Sequence, residues 1–384
     1  MKFETYTMEE ALSDIIDYRG KTPQKSNGGI PTLSAKSVKN NYIDYSNCYY
    51  ISEEEYKRFM VRGFPKYGDV LLTTEAPLGL SARLDNSNIA VAQRLLTLRG
   101  KTDLLDNDYL LYWLQSPKGQ SALKARETGT TVTGIKQSEF RKIKIDIPEL
   151  CLQKKTAGVL KNFDDMIAAK KEINKNLEEQ AKAIYHQMFI DNYSSDWHNG
   201  TLSDIADITM GQSPKGDTYN EDGLGTVFYQ GRAEFGFRFP TRRLFTTDPK
   251  RMAQELDVLM SVRAPVGDLN IASEPCCIGR GLAAIHSKDG HQSFVLYTVF
   301  ALSQQLDVFN GEGTVFGSIN RDSLNSMPII VPDKESMEQF EIIVAPMDTI
   351  IRTNHKEICR LQTVRDSLLP RLMSGEVDIS DIDL

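Results

Sequence analysis

Cysteine is scarce and unpatterned. Cys48, Cys151, Cys276, Cys277 and Cys359 are odd in number, and no two are separated by the two residues that a zinc ribbon or a thioredoxin-like site uses. They read as free thiols in a reducing compartment. The histidines, His186, His198, His286, His291 and His355, lack both the i, i+4 helical pairing and the intervening glutamate of a zinc hydrolase, so no metal is expected. No stretch approaches the roughly 18 uninterrupted apolar residues of a membrane span. Met1-Lys2-Phe3-Glu4 opens without the apolar core of a signal peptide, so a cytosolic location without membrane contact is expected. Basic excess is missing too. A net charge of −7 argues against a protein that coats nucleic acid nonspecifically, while leaving a site-specific reader open. Enzyme motifs are equally absent. Gly20-Lys21-Thr22 and Gly100-Lys101-Thr102 look like phosphate-loop endings, but the glycine required five positions earlier is Ile15 or Leu95. There is no Asn-Pro-Pro-Tyr run to hold a flipped adenine and no glycine-rich loop for S-adenosylmethionine, so neither a cofactor nor a catalytic residue is expected.

What is present is repetition. Residues 1 to 192 are echoed, in diverged form, from about 197 onward, at an offset near 184 to 190 residues. Leu12-Ser13-Asp14-Ile15 returns as Leu202-Ser203-Asp204-Ile205, followed by Pro23 or Pro214. Asp69-Val70-Leu71-Leu72-Thr73, running to Ala76-Pro77-Leu78-Gly79, returns as Asp257-Val258-Leu259-Met260-Ser261, running to Ala264-Pro265-Val266-Gly267. Both read as a buried strand stopped by a turn. Gly134-Ile135 leads through Phe140 to Ile143, Ile145, Ile147 and Pro148, as Ser318-Ile319 leads through Leu324 to Met327, Ile329, Val331 and Pro332: an alternating strand closed by proline. A helix is expected from Asn107-Asp108 to Leu123, and another from Ser293 through Phe294, Leu296, Tyr297 and Phe300 to Leu302.

Each copy ends in a long helical pattern, over residues 151 to 192 and 335 to 374. In the first, Phe163, Met166, Ile173, Leu177 and Ile184 fall on heptad core positions, with Lys170 and Gln180 in the gaps. In the second, Met347, Ile351, Ile358, Leu361, Leu368 and Leu372 do so, interrupted by Asn354 and Arg365. About 40 residues of helix extend roughly 60 Å, more than a domain of about 150 residues is wide, so each stripe is expected to find its apolar partner in the other. The expected fold is α+β: a first globular domain at 1–150, a long helix at 151–195, a second globular domain at 196–332, and a second long helix with an acidic tail at 333–384. The helices form an antiparallel coiled coil between two pseudo-symmetric domains.

Two similar but unlike domains suit a target with two unlike halves, as a homodimer suits a palindrome. With the Leu-Ser-Asp-Ile openings, Trp197, the Asp-Val-Leu to Ala-Pro-x-Gly units, Ile30-Pro31-Thr32-Leu33, and the ending Leu368-Leu369-Pro370-Arg371-Leu372-Met373-Ser374-Gly375-Glu376-Val377, the chain resembles the specificity subunits of Type I restriction-modification systems over essentially its whole length. The resemblance implies a non-catalytic subunit, with the two globular domains as target-recognition domains and the two long helices as spacers. It would bind double-stranded DNA at a bipartite asymmetric target and recruit methyltransferase subunits, two per chain, and restriction/translocase subunits. A structural adaptor that never reads DNA is the alternative.

Direct readout needs Arg or Lys for guanine and Asn or Gln for adenine, on loops matched between copies. Four places meet that demand: Lys36 opposite Gln230 and Arg232; Gln93 and Arg94 opposite Arg280 and Gly281; Thr130, Thr131, Thr133 and Lys136 opposite Thr314, Ser318, Asn320 and Arg321; and Thr74 and Glu75 opposite Val262 and Arg263. Arg243 joins them from the basic segment that also holds Arg238, Arg242, Lys250 and Arg251. Glu75 has the chemistry to accept from cytosine N4, though an ordinary salt bridge explains it as well.

Overall fold

The two Asp-Val-Leu runs become inner strands of two separate four-stranded antiparallel sheets. In the computed structural model, which describes residues 2–128, 133–311 and 317–379, the chain divides into two units: Met1–Ala169 with Ile358–Leu384, and Lys170–Glu357. The first unit's sheet runs Leu12–Asp17, Leu95–Gly100, Val70–Thr73, Ser81–Arg83, and the second's runs Ala206–Met210, Leu282–Ser287, Val258–Ser261, Leu269–Ile271. Register repeats as well: Val70 faces Leu98 and Arg83, and Val258 faces Ile285 and Ile271.

All four residues of Val70–Thr73 are buried, without alternation, because the strand is covered on both faces. Val70 and Leu72 pack with the helix Asn107–Gln115, whereas Leu71 packs with Leu33, Val91 and Leu95. Val258 and Met260, against Leu259, divide in the same way. The aspartate that opens each run is buried and accepts a backbone N–H, from Lys66 or Gln254, at 2.7 Å. Arg99 grips Asp69 through two nitrogens, at 2.8 and 2.7 Å, where the second unit sets His286 Nδ1 2.6 Å from Asp257.

The following turn is built alike in both copies. Thr73 Oγ1 accepts from Leu80 N–H, and Ser261 Oγ accepts from Asp268 N–H, both at 2.9 Å. Gly79 and Gly267 supply the left-handed backbone at φ +95° and +97°.

One sequence equivalence is corrected. Leu202–Ile205 is a helical turn opened by a Thr201/Asp204 capping box, and its structural counterpart is Met8–Ala11, opened by Thr7 and Glu10. Met8 N–H donates to Ile143 O and Leu202 N–H to Met327 O, at 2.8 and 2.9 Å, which fixes the match. Leu12-Ser13-Asp14-Ile15 lies four residues further on and is strand, so the shared tetrapeptide is out of register. The helix expected from 107 to 123 is also two helices, Asn107–Gln115 and Pro117–Lys124. Ser116 ends one and caps the next, with proline at the first helical position.

The long helices are Leu150–His186, closed by a wider turn at Gln187–Asp191, and Lys334–Ser374. Each contributes a segment to each unit, and within a unit the segments run antiparallel. In the second unit Lys170 meets Glu357 at 2.6 Å and Asn174 accepts from Asn354 at 2.9 Å. In the first, Arg365 donates to Asp164 at 2.5 Å. The second helix buries the expected face: Ile351, Ile358 and Leu372 are buried, and Met347, Leu361 and Leu368 are partly buried. The first helix is rotated by about one residue from expectation. Met166 and Ile173 are exposed, Phe163, Leu177 and Ile184 are only partly buried, and Ile167, Asn174, Glu178, Ala181 and Tyr185 occupy the buried line. The reason is that its seam carries polar groups with partners. Val377 and Ile379, from the acidic ending, pack into the first unit's core. No described helix is long and apolar enough to cross a membrane.

Candidate nucleic-acid interface

Three chain segments meet at one edge of the first unit. Arg94, just before the strand Leu95–Gly100, has φ +68° and accepts Thr74 N–H at 3.0 Å. The Thr74 carbonyl accepts Ile135 N–H at 2.9 Å, and Glu75 bridges Gly134 in antiparallel fashion. The second unit builds the same edge from other side chains. Val262 N–H donates to Gly281 O at 2.9 Å, Ile319 N–H to Val262 O at 3.1 Å, and Arg263 bridges Ser318.

A fourth segment joins each edge through parallel pairing. Ile30–Leu33 pairs with Ala90–Val91 and Thr226–Tyr229 with Cys276–Ile278. The turn holding Lys36 therefore leaves its strand next to Gln93, and that holding Gln230 and Arg232 next to Arg280. The approach in the second unit is close: a Cβ on Gly279 or Gly281 would stand 2.8 Å from the Gln230 backbone. The described residues of the four places marked in the sequence thus lie on segments that pair in succession along one edge in each unit.

Their side chains differ in availability. Lys36 and Lys136 are exposed, Gln93 donates to Thr22 Oγ1, and Arg94 lies 2.7 Å from Glu75. Thr74 is buried, so it supplies backbone to the edge and not its hydroxyl. Thr131, with Thr130 and Thr314, lies outside the described residues. In the second unit Gln230, Arg263, Arg280 and Arg321 are exposed, and the three arginines meet no carboxylate among the described residues. Arg232 is held by Asp268, Asn320 caps the helix Arg321–Asn325 by accepting Ser323 N–H at 2.8 Å, and Arg243 is bound by Glu234 and Glu221.

Two basic residues of the first edge escaped the sequence reading. Arg19 donates to Ile135 O at 2.7 Å, and Arg62 donates to Asp17 O at 2.8 Å. Both use backbone acceptors, and neither meets a carboxylate among the described residues. The signal for Arg19 was its place directly after the first sheet strand, in Asp17-Tyr18-Arg19-Gly20.

Arg238, in the same basic segment as Arg243, is not a surface charge. It is 3 % exposed, with Nε 2.9 Å from Glu178 and Nη2 2.7 Å from Asp348 and 2.5 Å from the Tyr297 hydroxyl. It anchors the loop that follows Arg232 to both long helices.

Burial pushes the Cys276 thiol up to about 12, far from a reactive thiolate. Among the described residues no three His, Cys, Asp or Glu side chains group so as to hold a metal ion. What the described residues of the edges offer is exposed hydrogen-bond donors on hydrogen-bonded backbone.

Comparison with known proteins finds relatives over most of the chain. The family model described as Type I restriction modification DNA specificity domain matches twice, at residues 7–179 and 194–362. The putative type I restriction enzyme MjaX specificity subunit of Methanocaldococcus jannaschii is 29% identical, over 96% of this chain and 93% of its own. The MjaIX specificity subunit of the same organism is 25% identical, over 92% and 88%. The crystal structure of a Type I restriction-modification system S subunit from M. genitalium shares the fold, with a TM-score of 0.63 at 16% identity over 97% of this chain and 96% of that one.

Proposed function

The chain belongs to the Type I restriction-modification DNA specificity family, and we propose that it reads a bipartite, asymmetric duplex target, one half with each unit, without itself cutting or methylating DNA. The observation that carries this reading is the edge built twice on the same backbone with different side chains: Lys36, Gln93, Arg94 and Lys136 in one unit, Gln230, Arg263, Arg280 and Arg321 in the other. Equal backbone gives both units the same docking geometry, and unlike side chains give them unlike base preferences.

Adenine-methyltransferase subunits, two per chain, and restriction/translocase subunits supply the chemistry, with the long helices as their docking elements in the cytoplasm. The helices also set the spacing between the two half-targets. Inserting one heptad into each, on either side of the Asn174–Asn354 pair, lengthens the preferred gap in the DNA; an unaltered gap refutes the ruler.

Mobility-shift titration of the chain with its methyltransferase partner, against specific and random duplexes, tests the reading as a whole. Tight binding to a subset of sequences supports it. Equal binding to every duplex, or to none, favours a protein-protein adaptor.

A further inference from the structure

Position 75 in the first unit and position 263 in the second are structurally equivalent. Each follows the residue whose carbonyl accepts from Ile135 or Ile319, and each bridges the opposing segment at Gly134 or Ser318. They carry opposite charge. Arg263 is exposed and meets no carboxylate among the described residues. Glu75 lies 2.7 Å from Arg94 through Oε1, with the carboxylate side chain 26% and the guanidinium side chain 53% exposed.

The Glu75–Arg94 pair is held more firmly than a surface ion pair requires. Arg94 has φ +68°, a conformation that side-chain-bearing residues rarely adopt and that collects at functional positions; Thr74 N–H clamps its carbonyl. Gly134 closes on the other side, where a Cβ would stand 2.8 Å from Glu75 Cβ and 2.6 Å from Thr74 O. Backbone on both sides thus fixes a carboxylate whose Oε2 has no partner among the described residues.

A carboxylate can only accept. In the major groove cytosine N4 and adenine N6 donate, while guanine and thymine present acceptors at those places. Cytosine suits a carboxylate, because adenine sets the N7 acceptor beside its amino group. An arginine at the same position has the reverse demand and suits guanine O6 and N7.

The geometry points to one specificity-determining position used with opposite sign: Glu75 accepts through Oε2 from the N4 amino group of a cytosine in one half-target, with Arg94 as its positioning residue, and Arg263 donates to a guanine in the other. This rests on the reading of each unit as a half-target reader.

The test uses the chain with its methyltransferase partner, S-adenosylmethionine, and duplexes randomised across the target, read by sequencing the methylated adenines. The wild-type motif should hold an invariant cytosine in one half and an invariant guanine in the other. Glu75→Gln should lower the preference for that cytosine by roughly tenfold in favour of adenine, which a glutamine amide serves with two bonds. The other half should not move. Arg263→Gln should do the converse, and Arg94→Ala should blunt the cytosine preference without creating a new one. A wild-type motif with no invariant G·C pair in either half overturns the assignment whether or not any variant folds. So does a Glu75→Gln protein that melts like wild type and keeps its motif, or that loses activity equally on all sequences. Wild-type methylation without sequence preference overturns the specificity reading and this assignment together.

Discussion

The Tyr112 hydroxyl donates to Asp164 Oδ2 at 2.7 Å, and Arg365 of the second long helix donates to Oδ1 of the same carboxylate at 2.5 Å. Tyr297 and Asp348 form the corresponding bond at 3.0 Å in the second unit, where Arg238 replaces Arg365 as the cation. A helix of each sheet-bearing portion is thereby tied to a long helix. Burial, reinforced by Asp164, pushes the Tyr112 hydroxyl well above its ordinary range, so it stays a donor. Asp164→Ala strands both of these donors and also Asn41 Nδ2, which donates to Oδ1 at 3.2 Å, and should cost about 2–3 kcal/mol, against about 1 kcal/mol for Tyr112→Phe. Urea unfolding of the two variants measures this, and equal losses would show that Arg365 gains nothing from the pair.

Arg238 should show a pH signature. Burial raises the Asp348 carboxyl above the ordinary carboxylate range, with Arg238 opposing the rise. A carboxyl with a raised folded-state value binds its proton more tightly when folded, so stability is lost as pH climbs from the unfolded value through the folded one. Arg238→Ala removes the opposing cation and widens that window. The variant should lose about 3–5 kcal/mol at neutral pH. It should lose less at lower pH, where Asp348 takes up its proton. Thermal unfolding at both pH values checks this, and a pH-independent loss contradicts it.

The turn after each inner strand should not tolerate a side chain. Gly267 has φ +97°, and a Cβ there would stand 3.2 Å from Leu306 Cβ. Gly267→Ala should cost about 1–2 kcal/mol in the left-handed conformation alone. A melting temperature equal to that of wild type would show that the turn relaxes to another geometry.

Arg280 is exposed and meets no carboxylate among the described residues, which suits a phosphate contact at the edge of the second unit. Arg280→Ala should weaken binding alike across sequences and lower the slope of log K against log salt by about 1. A change in base preference with an unaltered slope would instead make Arg280 a base reader.

Much of the fold was legible because its cause is local. Strand-turn units and the second long helix announce themselves through continuous or heptad-spaced apolar residues, as at Val258–Ser261 and at Ile351, Ile358 and Leu372. The first helix misled because its seam uses half-buried Asp164 and buried Asn174 and Glu178, whose partners Arg365, Asn354 and Arg238 lie far away in sequence. An apolar count then favours Met166 and Ile173, one residue off the seam. The burial of Arg238 was hidden for the same reason, its carboxylates being supplied from both helices. The Leu-Ser-Asp-Ile repeat misled differently: capping boxes at Thr7 and Thr201 set the register, and four matching letters did not outweigh them. At the candidate interface, matched loops were readable. Which side chains are free was not, because Thr74 burial and the Arg243 ion pairs are tertiary facts.

The most direct test of two unlike readers on one chain is a map of methylated adenines in host cells with and without this protein. The account predicts a single motif of two unlike short halves, separated by a fixed unspecified gap, present only with the chain. A methylation map unchanged by its loss, or a single contiguous motif, would contradict it.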